Sequence, residues 1–231
     1  MSIRADVLSA LGTVYDPELD EPITTLRFVG ACTVSDGGDV DVRLRLPTPQ
    51  CAPNFAYLMA ADARAAVRGV PGVRDVGVTL EGHYTGMEIN AAVGRGAAFS
   101  QAFPGETEGE LDALRELFRR KALVARQSRV CETLLGTGAT PADLAAMTVA
   151  DLPTDTEARR CIELREQLGL SAGASAPAFV RPDDAPIAAE DLAHWLRVAR
   201  LVRTSLEANG GICRSLLEVR YGVSPKEEVA G

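Results

Sequence analysis

Cys51 stands in Leu46-Pro47-Thr48-Pro49-Gln50-Cys51-Ala52-Pro53, off any apolar periodicity and just ahead of a proline suited to opening a helix. A thiol at that point meets the positive end of the helix and its free N–H groups, which favour the thiolate, the form that binds metal or acts as a nucleophile. The same residue also has a plain use as a small buried hydrophobe. Thr48 can hydrogen-bond the sulfur or satisfy a loop amide. Pro49 is the second supporting residue of the loop. Asp16 and Glu18 flank Pro17 and either cap and solvate a turn or, if folding brings them to Cys51, act as oxygen ligands or proton acceptors. His83 and Cys213 complete a set able to make a mixed sulfur, nitrogen and oxygen site, although no spacing demands one. Each has a structural alternative, a surface histidine and a core cysteine. The candidate metal ligands are therefore Cys51, Asp16, Glu18, His83 and Cys213. No catalytic residue is assigned, because no base is paired with Cys51.

The elements that must position these residues are readable in order. Ile3, Val7, Leu8, Leu11 and Val14 form a helical stripe that stops before Asp16-Pro17. Leu26, Phe28, Cys32 and Val34 alternate as a strand, and Ser35-Asp36-Gly37-Gly38 supplies a reversal. Asp39, Asp41, Arg43 and Arg45 then alternate with Val40, Val42, Leu44 and Leu46, the mark of a strand with one wet face. A helix from about Pro53 to Arg68 and a third strand through Val76, Val78 and Leu80 follow. The order is α-β-β-α-β, with a mixed sheet.

The region from Ala91 to Gly109 has poor periodicity and reads as a connection. Beyond it the pattern is helical. A long helix carries Leu111, Leu114, Leu117, Phe118, Val124, Cys131 and Leu135, with Arg115, Arg119, Arg120 and Arg126 on a basic outer stripe. Thr140-Pro141-Ala142-Asp143 has the form of a capped helix start. Another amphipathic helix, through Leu192, Trp195 and Leu206, is expected to break at Asn209-Gly210-Gly211, before a short last helix with Cys213, Leu216 and Leu217. The fold class is thus α+β, with an α+β module over residues 1–95, a linker over 96–109 and a helical domain over 110–231. Cys32, Cys131 and Cys161 lie on apolar stripes and are expected in the core.

The 231 residues include 24 basic and 32 acidic side chains, a net charge of −8 that opposes docking on nucleic acid or anionic lipid. No apolar run is long enough to span a bilayer, and the first residues lack a secretory pattern, which points to the cytoplasm. There the five irregularly spaced cysteines read as free thiols or ligands rather than as disulfides. A phosphate-binding Gly-Lys-Ser loop, a Gly-x-Ser-x-Gly elbow, a His-Glu-x-x-His helix and a Cys-x-x-Cys pair are all absent.

The Asp16-Pro17-Glu18 turn, the Ile23-Thr24-Thr25-Leu26-Arg27-Phe28-Val29 stretch, Cys51 after Pro49, and Gly69-Val70-Pro71-Gly72-Val73 occur in a telling order. Over roughly residues 5–90 the chain resembles the metal-sulfur (iron-sulfur) cluster assembly domain found in an accessory component of phenylacetate oxygenase systems and in cytosolic iron-sulfur targeting factors. It departs from that pattern in having Thr25-Leu26-Arg27 where the family usually has Asp-Leu-Gly, and Ala52 between the cysteine and its proline. With its helical half it is similar to a divergent form associated with actinobacterial propane-type monooxygenases. The resemblance implies a non-enzymatic factor that transiently holds iron or an iron-sulfur cluster through Cys51 and serves an oxygenase client, with a possible homodimer. The alternative is a metal-free chaperone or scaffold for di-iron monooxygenase subunits.

Overall fold

A computed structural model describes residues 2–105 and 108–222, the side chains of residues 108 and 110 excepted. The described residues fall into two compact units, those of 2–113 together with 209–222, and those of 114–208. The division falls inside two long helices, α5 (Glu108–Gly136) and α8 (Ala189–Tyr221).

In the first unit, helix α1 (Ile3–Leu11) is capped by the Ser2 hydroxyl, which accepts from the Ala5 N–H at 3.3 Å. A two-residue ladder, β1 (Tyr15–Asp16) with β2 (Glu21–Pro22), closes the Asp16 turn. Strands β3 (Val29–Val34), β4 (Asp39–Arg45) and β5 (Asp75–Glu81) form a sheet of order β3-β4-β5. The first pair is antiparallel and the second parallel, so the sheet is mixed as expected. Alternation in β4 and β5 buries Val40, Val42, Leu44, Val76, Val78 and Leu80 on one face. Helix α2 (Pro53–Arg68) supplies Leu58, Met59, Ala63 and Val67 to the same core. Strand β3 starts three residues later than the alternation suggests, because Arg27 sits at φ 61°, outside strand geometry; within the strand the ladder then shifts register between Val29 and Ala31.

Helix α3 (Gly86–Arg95) runs into the stretch read as connection, which begins at Ala91, and α4 (Phe99–Ala102) lies within it. Ile89, Ala92, Val93 and Phe99 are buried in the first unit's core. The expected break of α8 at Asn209-Gly210-Gly211 does not occur, and the helix runs unbroken to Tyr221. Burial of Leu217, 1% exposed, holds the last turns in place against the low helix propensity of two glycines.

The second unit is all helical apart from isolated bridges: parts of α5 and α8, α6 (Pro141–Ala146), a single 3-10 turn (Val149–Asp151) and α7 (Thr156–Gln167). Thr140 and Asp143 form the reciprocal capping box their spacing suggests. Leu123, Cys131, Leu144, Leu164, Leu192 and Trp195 build its core. The Gln127 side chain, also buried, donates to the Val180 carbonyl at 2.9 Å and accepts from the Val180 N–H at 2.8 Å. Arg126 is only 11% exposed and pairs with Glu157 at 2.7 Å, while Arg120 bonds Glu116 and the Pro182 carbonyl. These two arginines of the basic stripe are therefore engaged within their own unit. Cys32, Cys131 and Cys161 are buried, and desolvation pushes the Cys131 thiol far up from its ordinary value.

No helix of the described residues is long and apolar enough to cross a membrane.

Candidate functional site

Cys51 is half-buried in the bend between β4 and α2, one residue before the Ala52 N-cap and the Pro53 that begins the helix. Ala52 offers no side-chain cap. The Thr48 hydroxyl lies 3.6 Å from the Cys51 sulfur and accepts from the Gln50 N–H at 3.3 Å. With that oxygen already accepting, its own proton is free to point at the sulfur. Thr48 thus meets both readings given it, sulfur partner and loop brace.

Two bonds from the turn after β5 pin the loop. The Tyr84 N–H donates to the Pro49 carbonyl at 3.0 Å, and His83 Nε2 reaches the Cys51 carbonyl at 2.8 Å. His83 Nδ1 lies 3.0 Å from the Thr85 hydroxyl and 3.3 Å from the Thr85 N–H, which donates to it. An Nδ1 that accepts places the ring proton on Nε2, where it donates to Cys51. Both nitrogens are then occupied, and in this arrangement His83 orients the cysteine loop instead of offering a lone pair to a metal.

Asp16 is 8% exposed, and one of its oxygens accepts from the Glu18 and Leu19 N–H groups at 2.8 and 2.9 Å. Desolvation is the largest influence on its carboxyl and raises it to about 6, with Glu18 and Glu21 adding to the rise and the two backbone bonds opposing it. Half-buried Glu18 accepts from the Asn209 amide of α8 at 3.5 Å.

Cys213 comes to this neighbourhood on α8. It packs, as Cys51 does, against the first unit's core. Burial first, then the nearby Asp16, Cys51 and Glu18, push its thiol up to about 11. Four of the sequence candidates, Asp16, Glu18, Cys51 and Cys213, are thus brought into one electrostatic neighbourhood, with His83 behind the Cys51 backbone. Among the described residues, however, no group of three or more His, Cys, Asp or Glu side chains is arranged to hold a metal ion.

Sequence reasoning missed the residues that seat α8 here. Arg220 donates to the Leu46 carbonyl at 3.0 Å and to the Gly82 carbonyl at 2.6 Å, and Arg214 pairs with Glu21 at 2.7 Å. Gly82, at φ 60°, allows this approach, since a Cβ there would lie 2.6 Å from an Arg220 nitrogen. The spacing of Cys213, Leu217 and Arg220 is that of one helix face and was a usable signal. The glycine pair hid it.

A small mixed sheet backed by helices, with a cysteine loop between its second strand and the following helix, defines the class. Residues 4–80 match the family model described as iron-sulfur cluster assembly protein. An uncharacterized protein of Methanocaldococcus jannaschii is 38% identical over 90 residues, which cover 39% of this chain and 93% of that relative. The chain belongs to the iron-sulfur cluster assembly protein family. An iron-sulfur cluster carrier protein of Deinococcus radiodurans is 41% identical over 71 residues, 30% of this chain and 19% of the carrier. The chain therefore spans about a fifth of that carrier's length. No solved structure matches.

Proposed function

We propose that this protein is a non-enzymatic accessory factor that holds iron or an iron-sulfur unit transiently through Cys51 and passes it to a protein client. The observation that carries the reading is the Cys51 loop itself, a half-buried thiol beside the Thr48 hydroxyl and pinned from behind by His83 and Tyr84. Membership of an iron-sulfur cluster assembly family and likeness to a named cluster carrier support it. Cys213 is the second thiol of that neighbourhood, and Asp16 and Glu18 would have to turn toward the sulfurs to add oxygen ligands. Two thiols per protomer fall short of the four that a cluster takes, so stable binding needs a second copy, a client ligand or a small thiol. That shortage suits brief custody. We assign an oxygenase component as client from the resemblance carried by residues 5–90 and from the added helical half.

The reading is tested by transfer. Protein loaded anaerobically with iron and sulfide, then mixed with an apo-acceptor bearing four cysteines, should develop the acceptor's visible absorption. Cys51→Ser should abolish that gain while keeping the native circular dichroism. Undiminished transfer by the variant would remove Cys51 from the mechanism.

The second reading is a metal-free chaperone for di-iron monooxygenase subunits. On that reading Cys51→Ser still captures the oxygenase subunits and supports their assembly.

A further inference from the structure

We infer that the last turns of α8, from Ile212 to Tyr221, form a strap over the Cys51 side of the first unit, hinged at Gly210-Gly211, whose opening controls access to the thiols. The inference rests on the reading of Cys51 as the residue that holds the cargo. Asn209 is bonded to Glu18 on the fixed side of the hinge, and beyond it the strap is tied by Arg214 to Glu21, by Arg220 to the Leu46 and Gly82 carbonyls, and by Leu217 in the core. Cys213 lies between the hinge and these ties. Leu46 ends the strand that leads into the Cys51 loop, and Gly82 precedes the histidine that bonds the Cys51 carbonyl. Its seat is thus built from the two segments that hold Cys51.

The hinge is written in the backbone chemistry. The helix changes allegiance between units at Ala208/Asn209, immediately before two adjacent glycines in the interior of one continuous helix. Glycine is the weakest non-proline helix former, so local unwinding is easiest there. The two glycines are not equivalent. A Cβ on Gly210 would lie 2.9 Å from a Glu21 carboxylate oxygen, the movable end of that side chain, whereas a Cβ on Gly211 would meet nothing within 4 Å. Packing against the first unit gives no reason for Gly211, and backbone freedom does. Closed, the strap holds Cys213 near the Asp16 turn and seats Arg220 on the segments leading into and bracing the Cys51 loop; open, it withdraws the second sulfur and frees that loop, which is the state that releases cargo.

Gly211→Ala stiffens the hinge without filling occupied space. In the metal-free full-length protein, modification of Cys51 and Cys213 by N-ethylmaleimide, located by peptide mass spectrometry, should slow about fivefold in Gly211→Ala. Exchange of the 209–221 amides with deuterium should slow with it. Arg220→Ala should speed both about tenfold or more, because charge-assisted bonds to two carbonyls are removed. Unchanged labelling and exchange in Gly211→Ala overturn the hinge, whatever Arg220→Ala does, and that comparison stands even if Arg220→Ala fails to fold. Because no metal is present, a null result here leaves the carrier reading intact. Iron retained by Cys51→Ser would sink the carrier reading without touching these rates.

Discussion

At the scale of single residues, Asp16 is a carboxyl the fold keeps at a cost. A group moved from 3.8 to about 6 carries about 3 kcal/mol, at about 1.4 kcal/mol per pH unit. Between pH about 4 and about 6 the unfolded chain has Asp16 ionised while the folded chain keeps it protonated. Its contribution to stability therefore falls as pH rises through that window and stays flat above it. Asp16→Asn keeps an oxygen for the Glu18 and Leu19 N–H groups and removes the buried charge. Urea unfolding at pH 7.5 should show this variant more stable than the parent by about 1 to 3 kcal/mol, with the gap closing near pH 4; a less stable variant at pH 7.5 would contradict the burial argument. Arg27 is a second residue held against its preference, at φ 61°, where the family usually has glycine. Arg27→Gly should add up to about 1 kcal/mol, measured in the same way, the gain being smaller by whatever the arginine side chain itself contributes to the fold.

At the scale of elements, what could be read in advance followed periodicity. Strand β4 and helix α2 were legible almost to the residue, since Val40, Val42 and Leu44 alternate cleanly and Pro53 marks a start. Helix α3 was not: its apolar residues Ile89, Ala92 and Val93 are diluted by small and polar neighbours, and it is buried through tertiary contact rather than marked by pattern. The glycine pair in α8 signals a break by local propensity, and the anchorage of Leu217 and Arg220 overrides it. The same division applies to the candidate site. Cys51 stands out because its loop defies apolar spacing, whereas the placing of Cys213 needs the unbroken course of α8, which the face shared by Cys213, Leu217 and Arg220 signals and the glycine pair conceals. Leu217→Ala should cost about 2 to 5 kcal/mol in thermal or denaturant unfolding of the first unit, because a fully enclosed side chain is removed. A cost under about 1 kcal/mol would mean that the last turns of α8 are not anchored there.

At the scale of the whole molecule, an acidic chain of net charge −8 combines a family module with a helical unit whose arginines are largely spent internally. Glu132 takes both Arg200 and Arg203, and the Glu132 carboxyl is held below its ordinary value by those two partners against the opposing effect of burial. Reversing Arg126 would set a largely buried carboxylate beside the partly solvated Glu157, so Arg126→Glu should destabilise the helical unit by about 1 to 3 kcal/mol, less than for a fully buried pair. A melt unchanged by that reversal would return Arg126 to the pool of docking residues for a client. The central claim concerns one sulfur atom, and bound iron per protomer tests it most directly. After anaerobic reconstitution with iron and sulfide and removal of excess reagent, the parent should retain iron with sulfur-to-iron charge-transfer absorption, and folded Cys51→Ser should retain almost none. Equal iron in the two proteins would contradict the account.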